Sequence, residues 1–263
     1  MRMTGRFAPR LATWPIEPIV KRLRSLSVVS EAEEALVRSL AEHRERHAPG
    51  EDLITEGQSQ RKPRYVVAGW AARQRVLPDG RRQIFSLILP GDNFGIAGRG
   101  APPAPWSIVA MTAVETVDAA PLLEAAVEGR APGLARALTA AAMEDERLLF
   151  DHMVRLGQQT AYERVAHFLL ELQRRLQCTG LGDSQRFPLP LTQEILADAL
   201  GLSIVHVNRT LQQLRRERLI ELRSGVAILL EPQALADIAG CEVEAARPRS
   251  AAPTRRQLEA SPA

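Results

Sequence analysis

Apolar residues change their spacing along this chain, and the changes mark its organisation. From Ile16 to Leu40 they recur at helical intervals, first Ile19, Leu23 and Leu26, then Leu36, Val37 and Leu40. The break at Ser27 to Ser30 separates two short helices, with Ser30 placed to cap the second ahead of Glu31 and Glu33. From about Pro49 to Ala120 the spacing gives way to short apolar runs between turn residues: Pro49-Gly50-Glu51-Asp52, Glu56-Gly57, Pro78-Asp79-Gly80 and Pro90-Gly91-Asp92. Tyr65–Ala68, Ile84–Leu89 and Val114–Val117 read as strands of an antiparallel barrel or sandwich, with Trp70 and Trp106 as packing residues.

Beyond Pro132-Gly133 helical spacing returns. Leu134, Leu138, Leu148, Leu149, His152 and Leu156 form an imperfect seam, interrupted at Asp145, that can zip against a second copy of the chain or pack on the chain's own barrel. Gly157 to Gln159 is a candidate hinge, and Thr160-Ala161-Tyr162-Glu163 is a capping box that opens a helix running to about Gln177. A Gly/Asp/Ser-rich loop follows to Pro190, then two helices, then a strand over Val226–Leu230. The tail from 241 to 263 has the composition of a disordered segment, and residues 1–15 read as a flexible N-terminus.

The two helices carry the most specific pattern. Thr192–Leu200, then Gly201, then Ser203–Arg216 satisfy the helix-turn-helix requirement, with Ala197 at the close contact, Gly201 at the turn and Ser203 as the second N-cap. Leu196, Leu200, Leu202 and Val207 point inward, and Leu211 and Leu214 extend that stripe. The outward face offers Arg209 for guanine, Asn208 for adenine, Val205 for a thymine methyl, and Gln212. Thr192, Gln193, Ser203 and His206 complete the candidate DNA-binding set, with Thr192 and His206 suited to phosphates. Leu219-Ile220 and Arg223-Ser224-Gly225-Val226 add a strand-turn-strand resembling a wing.

Charge supports this reading locally, not globally. The net charge is only +3, yet Ser203 to Arg223 holds Arg209, Arg215, Arg216, Arg218 and Arg223 against Glu217 and Glu221. Apolar residues at 45% and charged residues at 25% suit a globular chain able to bury a core. The two cysteines, Cys178 and Cys241, are too far apart for a metal-type motif, which fits a reducing cytoplasm and no metal site. Arg2, Arg6 and Arg10 lead into Trp14-Pro15 and Glu17 and not into an apolar stretch, so neither secretion nor membrane insertion is predicted. His43 and His47, four apart on what reads as a charge-rich helix, lack the zinc-protease pattern, and no GxSxG, P-loop or GxGxxG occurs, so no enzyme is predicted.

The run from Pro190 to Leu211, Pro-Leu-Thr-Gln-Glu-Ile-Leu-Ala-Asp-Ala-Leu-Gly-Leu-Ser-Ile-Val-His-Val-Asn-Arg-Thr-Leu, resembles the DNA-binding domain of the CRP/FNR family. Glu56-Gly57, Pro78-Asp79-Gly80-Arg81-Arg82-Gln83 and Leu89-Pro90-Gly91-Asp92-Asn93-Phe94-Gly95 match in order the turns of that family's cyclic-nucleotide-type β-roll, so the likeness spans about Ile16 to Ala239. It implies an α+β fold with an N-terminal antiparallel, jelly-roll-like β-roll sensor domain (16–131), a long dimerisation helix with its hinge (132–158) and a C-terminal winged helix-turn-helix (159–240). It further implies a homodimer on a palindromic operator and RNA polymerase as a partner. Arg82, Gly91, Phe94 and Gly95 become candidate ligand-binding positions.

This chain departs from the family in informative places. Members that bind cyclic AMP continue with Gly-Glu and a later Arg-Ser or Arg-Thr pair, whereas here Gly95 is followed by Ile96-Ala97 and Gly98 to Trp106 has no such pair. A cyclic phosphate would lack its guanidinium partner, which argues against cyclic AMP. The N-terminal cysteine cluster of the iron-sulfur members is missing too, so no cofactor is predicted and the effector stays unread. Ile204 and Val205 stand where many members carry arginine and glutamate, while Arg209 is kept. The alternative class is a small-ligand or nucleotide-binding module acting through protein contacts, and dependence of DNA binding on Arg209 separates the two.

Overall fold

The computed structural model describes residues 15–97 and 101–241. The terminal segments read as flexible and disordered therefore lie, apart from Pro15 and Cys241, outside the described residues, as does Gly98. The two short helices form as their spacing predicts, α1 (Glu17–Leu26) and α2 (Glu31–Ser39). Eight strands follow: β1 (Arg44–His47), β2 (Asp52–Ile54), β3 (Arg64–Ala68), β4 (Ala71–Val76), β5 (Arg82–Ile88), β6 (Asn93–Phe94), β7 (Ser107–Ala110) and β8 (Val114–Asp118). They build two four-stranded antiparallel sheets, ordered β1-β8-β3-β6 and β2-β7-β4-β5. The inner faces meet through Val66, Phe94 and Val114 from one sheet and Ile54, Ile88 and Ile108 from the other. Alternation along β3 sends Tyr65 and Val67 to the opposite face, where they pack with Ile19, Leu23 and Leu134.

The chain then runs through α3 (Ala120–Val127), the long α4 (Pro132–Gln158) and α5 (Ala161–Thr179). Glu33 fixes the start of α4 as well as that of α2. One carboxylate oxygen completes the capping box with the Ser30 backbone N–H at 2.7 Å. The other accepts from the backbone N–H groups of Gly133 and Leu134 at 2.6 and 3.1 Å. Burial pushes this carboxyl up, but the donors from Ser30, Leu134 and Gly133 outweigh burial and hold it below the usual carboxylate range.

His43 and His47 do not share a helix. His43 ends a short 3₁₀ turn and His47 lies in β1, where its ring nitrogens sit 2.8 Å from Glu51 and 3.1 Å from Thr116. The pairing of β1 with β8, distant in sequence, overrides the helical spacing. Trp70 is buried as expected, whereas Trp106 is half-buried with the guanidinium groups of Arg73 and Arg61 at 4.9 and 5.9 Å from its ring.

The outer face of the second sheet is covered by the C-terminal half of the chain. Trp70, Ile84, Leu87 and Leu89 belong to one apolar cluster with Phe168, Leu172, Leu196 and Leu200. Beside it a buried ionic network spans both halves. Arg175 on α5 donates to the Leu87 carbonyl at 2.8 Å and the Asp92 carboxylate at 2.6 Å, and lies 3.4 Å from Glu171. Arg155 on α4 reaches the other Glu171 oxygen at 2.5 Å. Burial raises the Glu171 carboxyl, yet Arg155 and Arg175 more than offset this and hold it below its ordinary value.

Candidate nucleic-acid interface

The C-terminal region contains β9 (Arg186–Pro188), α6 (Gln193–Leu200), α7 (Ile204–Arg216), β10 (Ile220–Arg223), β11 (Val226–Leu229) and α8 (Pro232–Ala239). Capping chemistry sets the two central helices. Thr192 Oγ1 accepts from the Ile195 N–H at 3.2 Å, and Ser203 Oγ accepts from the His206 N–H at 3.2 Å. Between them Gly201 takes φ +62°, a left-handed backbone that favours glycine, and a Cβ there would stand 2.9 Å from the Leu156 Cδ2 tip, which would have to shift. Leu196, Ala197, Leu200, Val207, Leu211 and Leu214 are buried against Val165, Leu169 and Leu172 of α5. Strands β10 and β11 pair from Ile220↔Leu229 to Arg223↔Val226 around Ser224-Gly225, whose φ angles of +50° and +76° suit a two-residue hairpin turn. Strand β9 completes a three-stranded sheet in the order β10-β11-β9.

The residues read as the DNA-facing set lie at the start of α6 and along α7. Thr192, Gln193, Ser203, Val205, His206, Asn208, Arg209 and Gln212 are all exposed. Val205, Asn208, Arg209 and Gln212 line one helix face at intervals of three and four residues. Arg209 forms no ion pair with the described residues, which leaves its guanidinium available to an external acceptor. Asn208 does not act alone, because the Gln212 amide donates to its Oδ1 at 3.0 Å. The pair presents one composite edge, with Asn208 supplying donors and Gln212 an acceptor. His206 Nδ1 lies 3.1 Å from Ser203 Oγ, so the ring is tied to the cap. Between α7 and the wing an open groove of about 460 Å³ is lined by Gln212, Arg215, Arg216, Glu221 and Arg223.

The candidate ligand positions are not gathered. Arg82 pairs with Asp198 of α6 at 2.5 Å, and the neighbouring Gln83 amide donates to the Asp198 carbonyl at 3.1 Å. Gly91, at φ +97°, is wedged where a Cβ would stand 2.8 Å from Thr179 and 2.9 Å from the Pro18 carbonyl. Phe94 is buried between the sheets, and Gly95 abuts the Lys62 backbone. Packing against the C-terminal half occupies Arg82 and Gly91, and packing within the roll occupies Phe94 and Gly95. Between roll and helix, two cavities of about 10 Å³ each are lined by Asp92, Asn93 and Asp145, with Arg73 and Arg175 on one and Arg22 on the other.

The seam read along α4 divides between the two sides of that helix. Leu134, Leu148 and His152 are buried within the protomer, Leu138 and Leu156 are half-buried, and Leu149 lies at the margin with 36% exposure. The open apolar residues are Met143, Phe150, Met153 and Val154, one step round the helix. Asp145 interrupts the inner face because it reaches the interior charges, and burial together with Asp92 pushes its carboxyl up.

One determinant had no sequence signal beyond an arginine in the first turn of a helix. Arg164 donates to three carbonyls: Leu156 near the end of α4 at 2.9 Å, Gln159 in the connection at 2.8 Å, and Leu200 at the end of α6 at 3.1 Å. Two helix C-termini and the turn between the halves are thereby held by one planar cation.

A capped helix pair with an exposed polar face, backed by a basic groove and a hairpin wing, defines a winged helix-turn-helix DNA-binding protein. Residues 163–238 match the Crp-like helix-turn-helix domain model. The nitrogen fixation regulation protein FixK of Bradyrhizobium diazoefficiens is 34% identical over 215 residues, covering 80% of this chain and 88% of that protein. The transcriptional activatory protein AadR of Rhodopseudomonas palustris is 32% identical over 214 residues, with the same coverage of 80% and 88%. Among solved structures, FixK2 from Bradyrhizobium japonicum superposes with a TM-score of 0.64 at 31% identity, covering 74% of this chain and 96% of that one. The chain belongs to the CRP/FNR family of transcription regulators. It is a DNA-binding regulator and not an enzyme. Among the described residues no helix is long and apolar enough to cross a membrane, and no group of His, Cys, Asp and Glu forms a metal cage.

Proposed function

We propose that this regulator acts as a cytoplasmic homodimer on an inverted-repeat operator, with one α7 in the major groove of each half-site. The exposed face of Val205, Asn208, Arg209 and Gln212 carries this reading, since it offers solvent-facing base-reading groups beside a groove lined by Arg215, Arg216 and Arg223. Met143, Phe150 and Met153 on α4, spaced by seven and three residues, supply the heptad-like seam for the second copy. Residues 16–131 form the sensor roll, 132–158 the dimerisation helix and hinge, and 159–240 the DNA-binding domain. RNA polymerase is the further partner. Control by cyclic AMP is disfavoured, because the segment after Gly95 brings no Arg-Ser or Arg-Thr pair to a cyclic phosphate. Selection of bound fragments from a random DNA pool tests the proposal, with an enriched inverted repeat as the expected result. Arg209→Ala should then weaken that site by about 1–3 kcal/mol with little change on unrelated DNA. Enrichment of no motif would sink the reading.

A further inference from the structure

The recognition face carries an apolar feature that polar base readout leaves unused. Ile204 and Val205 are 50% and 67% exposed, while the other large apolar side chains of 161–241 are buried or half-buried. β-Branched residues are not favoured in a helix, and here half or more of each side chain is left open to solvent. Ser203 fixes the first turn of α7 by its cap, so the direction of both side chains is set by the fold. Ile204 lies one turn before Asn208, and Val205 one turn before Arg209. The pair is thus continuous with the DNA-reading surface, at the end of the recognition helix that enters the groove. In the major groove the only apolar group on a base edge is the C5 methyl of thymine.

We infer that Ile204 and Val205 form a methyl-reading patch, which selects thymine at the position of each half-site that lies beneath the first turn of α7. The inference rests on the proposed operator binding and adds base identity to it. The selected operator provides the test: each thymine is replaced in turn, in both half-sites, by deoxyuridine, which keeps the base pair and removes only the methyl. Burying one methyl-sized group is worth about fourfold in affinity, hence on the order of tenfold when both half-sites lose it. The loss should appear at one or two thymines in the parent protein and vanish in Ile204→Ala, Val205→Ala, for which thymine and deoxyuridine sites bind alike. Both side chains are exposed, so an unchanged thermal midpoint confirms that the variant is folded. An inverted repeat without thymine beneath this turn overturns the inference, as does indifference of the parent to every deoxyuridine or a loss that persists in the variant. Failure to enrich any motif instead refutes operator binding itself.

Discussion

Arg175→Ala tests whether the roll and the DNA-binding half stand as one structure. Arg175 is 7% exposed and bridges the Leu87 carbonyl, Asp92 and Glu171. Removing one partner of a buried pair costs about 3–5 kcal/mol, chiefly because the remaining charge is stranded. The remaining partners soften this: Asp92 still accepts from the Leu89 N–H at 2.8 Å and faces Arg22 at 3.8 Å, and Glu171 still holds Arg155 at 2.5 Å. The expected loss is therefore at the lower end, about 3 kcal/mol, a large share of a typical folding stability. Urea unfolding followed by circular dichroism gives the number by linear extrapolation, and an unchanged slope shows that the same surface is exposed. Arg82→Ala is the control. Its pair with Asp198 is about a quarter exposed on both sides, which limits its contribution to about 1 kcal/mol or less. A double cycle with Asp92→Ala should return a coupling above about 1 kcal/mol. If Arg175→Ala stays within 1 kcal/mol of the parent, the reasoning about this buried network is wrong.

Other consequences are open to simpler measurements. Burial, aided by the Arg155 cation, lowers the His152 pKa to about 4, so the folded state holds this ring neutral. Its contribution is therefore complete above the ordinary histidine pKa of about 6.5 and is lost as pH falls toward about 4, by up to roughly 3 kcal/mol. His152→Leu should flatten the stability profile across that window, and a profile as steep as the parent's would assign the loss to other groups. Gly201→Ala should cost about 1–2 kcal/mol from its left-handed backbone, plus any shift needed at Leu156, read as a drop in urea midpoint. Phe150→Glu should abolish the proposed dimer and leave a folded monomer by light scattering, whereas Leu148→Glu should unfold the protomer. A Phe150→Glu protein that remains dimeric would place the seam elsewhere.

The helix-turn-helix was legible because its determinants are local. Thr192, Gly201 and Ser203 announce caps and a turn within a few residues of the groups they serve, and the alternation of buried and exposed positions along α7 follows from helical spacing. The strands of the roll were legible from their turn residues. The role of Arg82 was not, because its partner Asp198 is 116 residues away and nothing local signals the pairing. The α4 seam was only partly legible, for a different reason. That helix has apolar residues on two sides, Leu134 and Leu148 inward and Met143, Phe150 and Met153 outward, and periodicity alone does not say which side meets the protein's own roll. His47 shows the same limit in reverse, since a four-residue spacing suited a helix until a distant strand claimed it.

Arg164 changes what the connection at Gln159 means. A free link of a few residues would sample many orientations, and fixing each residue on DNA would cost about 1–2 kcal/mol of backbone entropy. The three carbonyls gathered by this guanidinium remove that freedom before any operator is met. The joint is thus preorganised, and DNA need not supply the ordering. The same arrangement makes reorientation of the reading head an all-or-none event. The end of α4, the connection and the end of α6 each take a separate N–H of one rigid guanidinium, so moving any of them displaces the group that also holds the others.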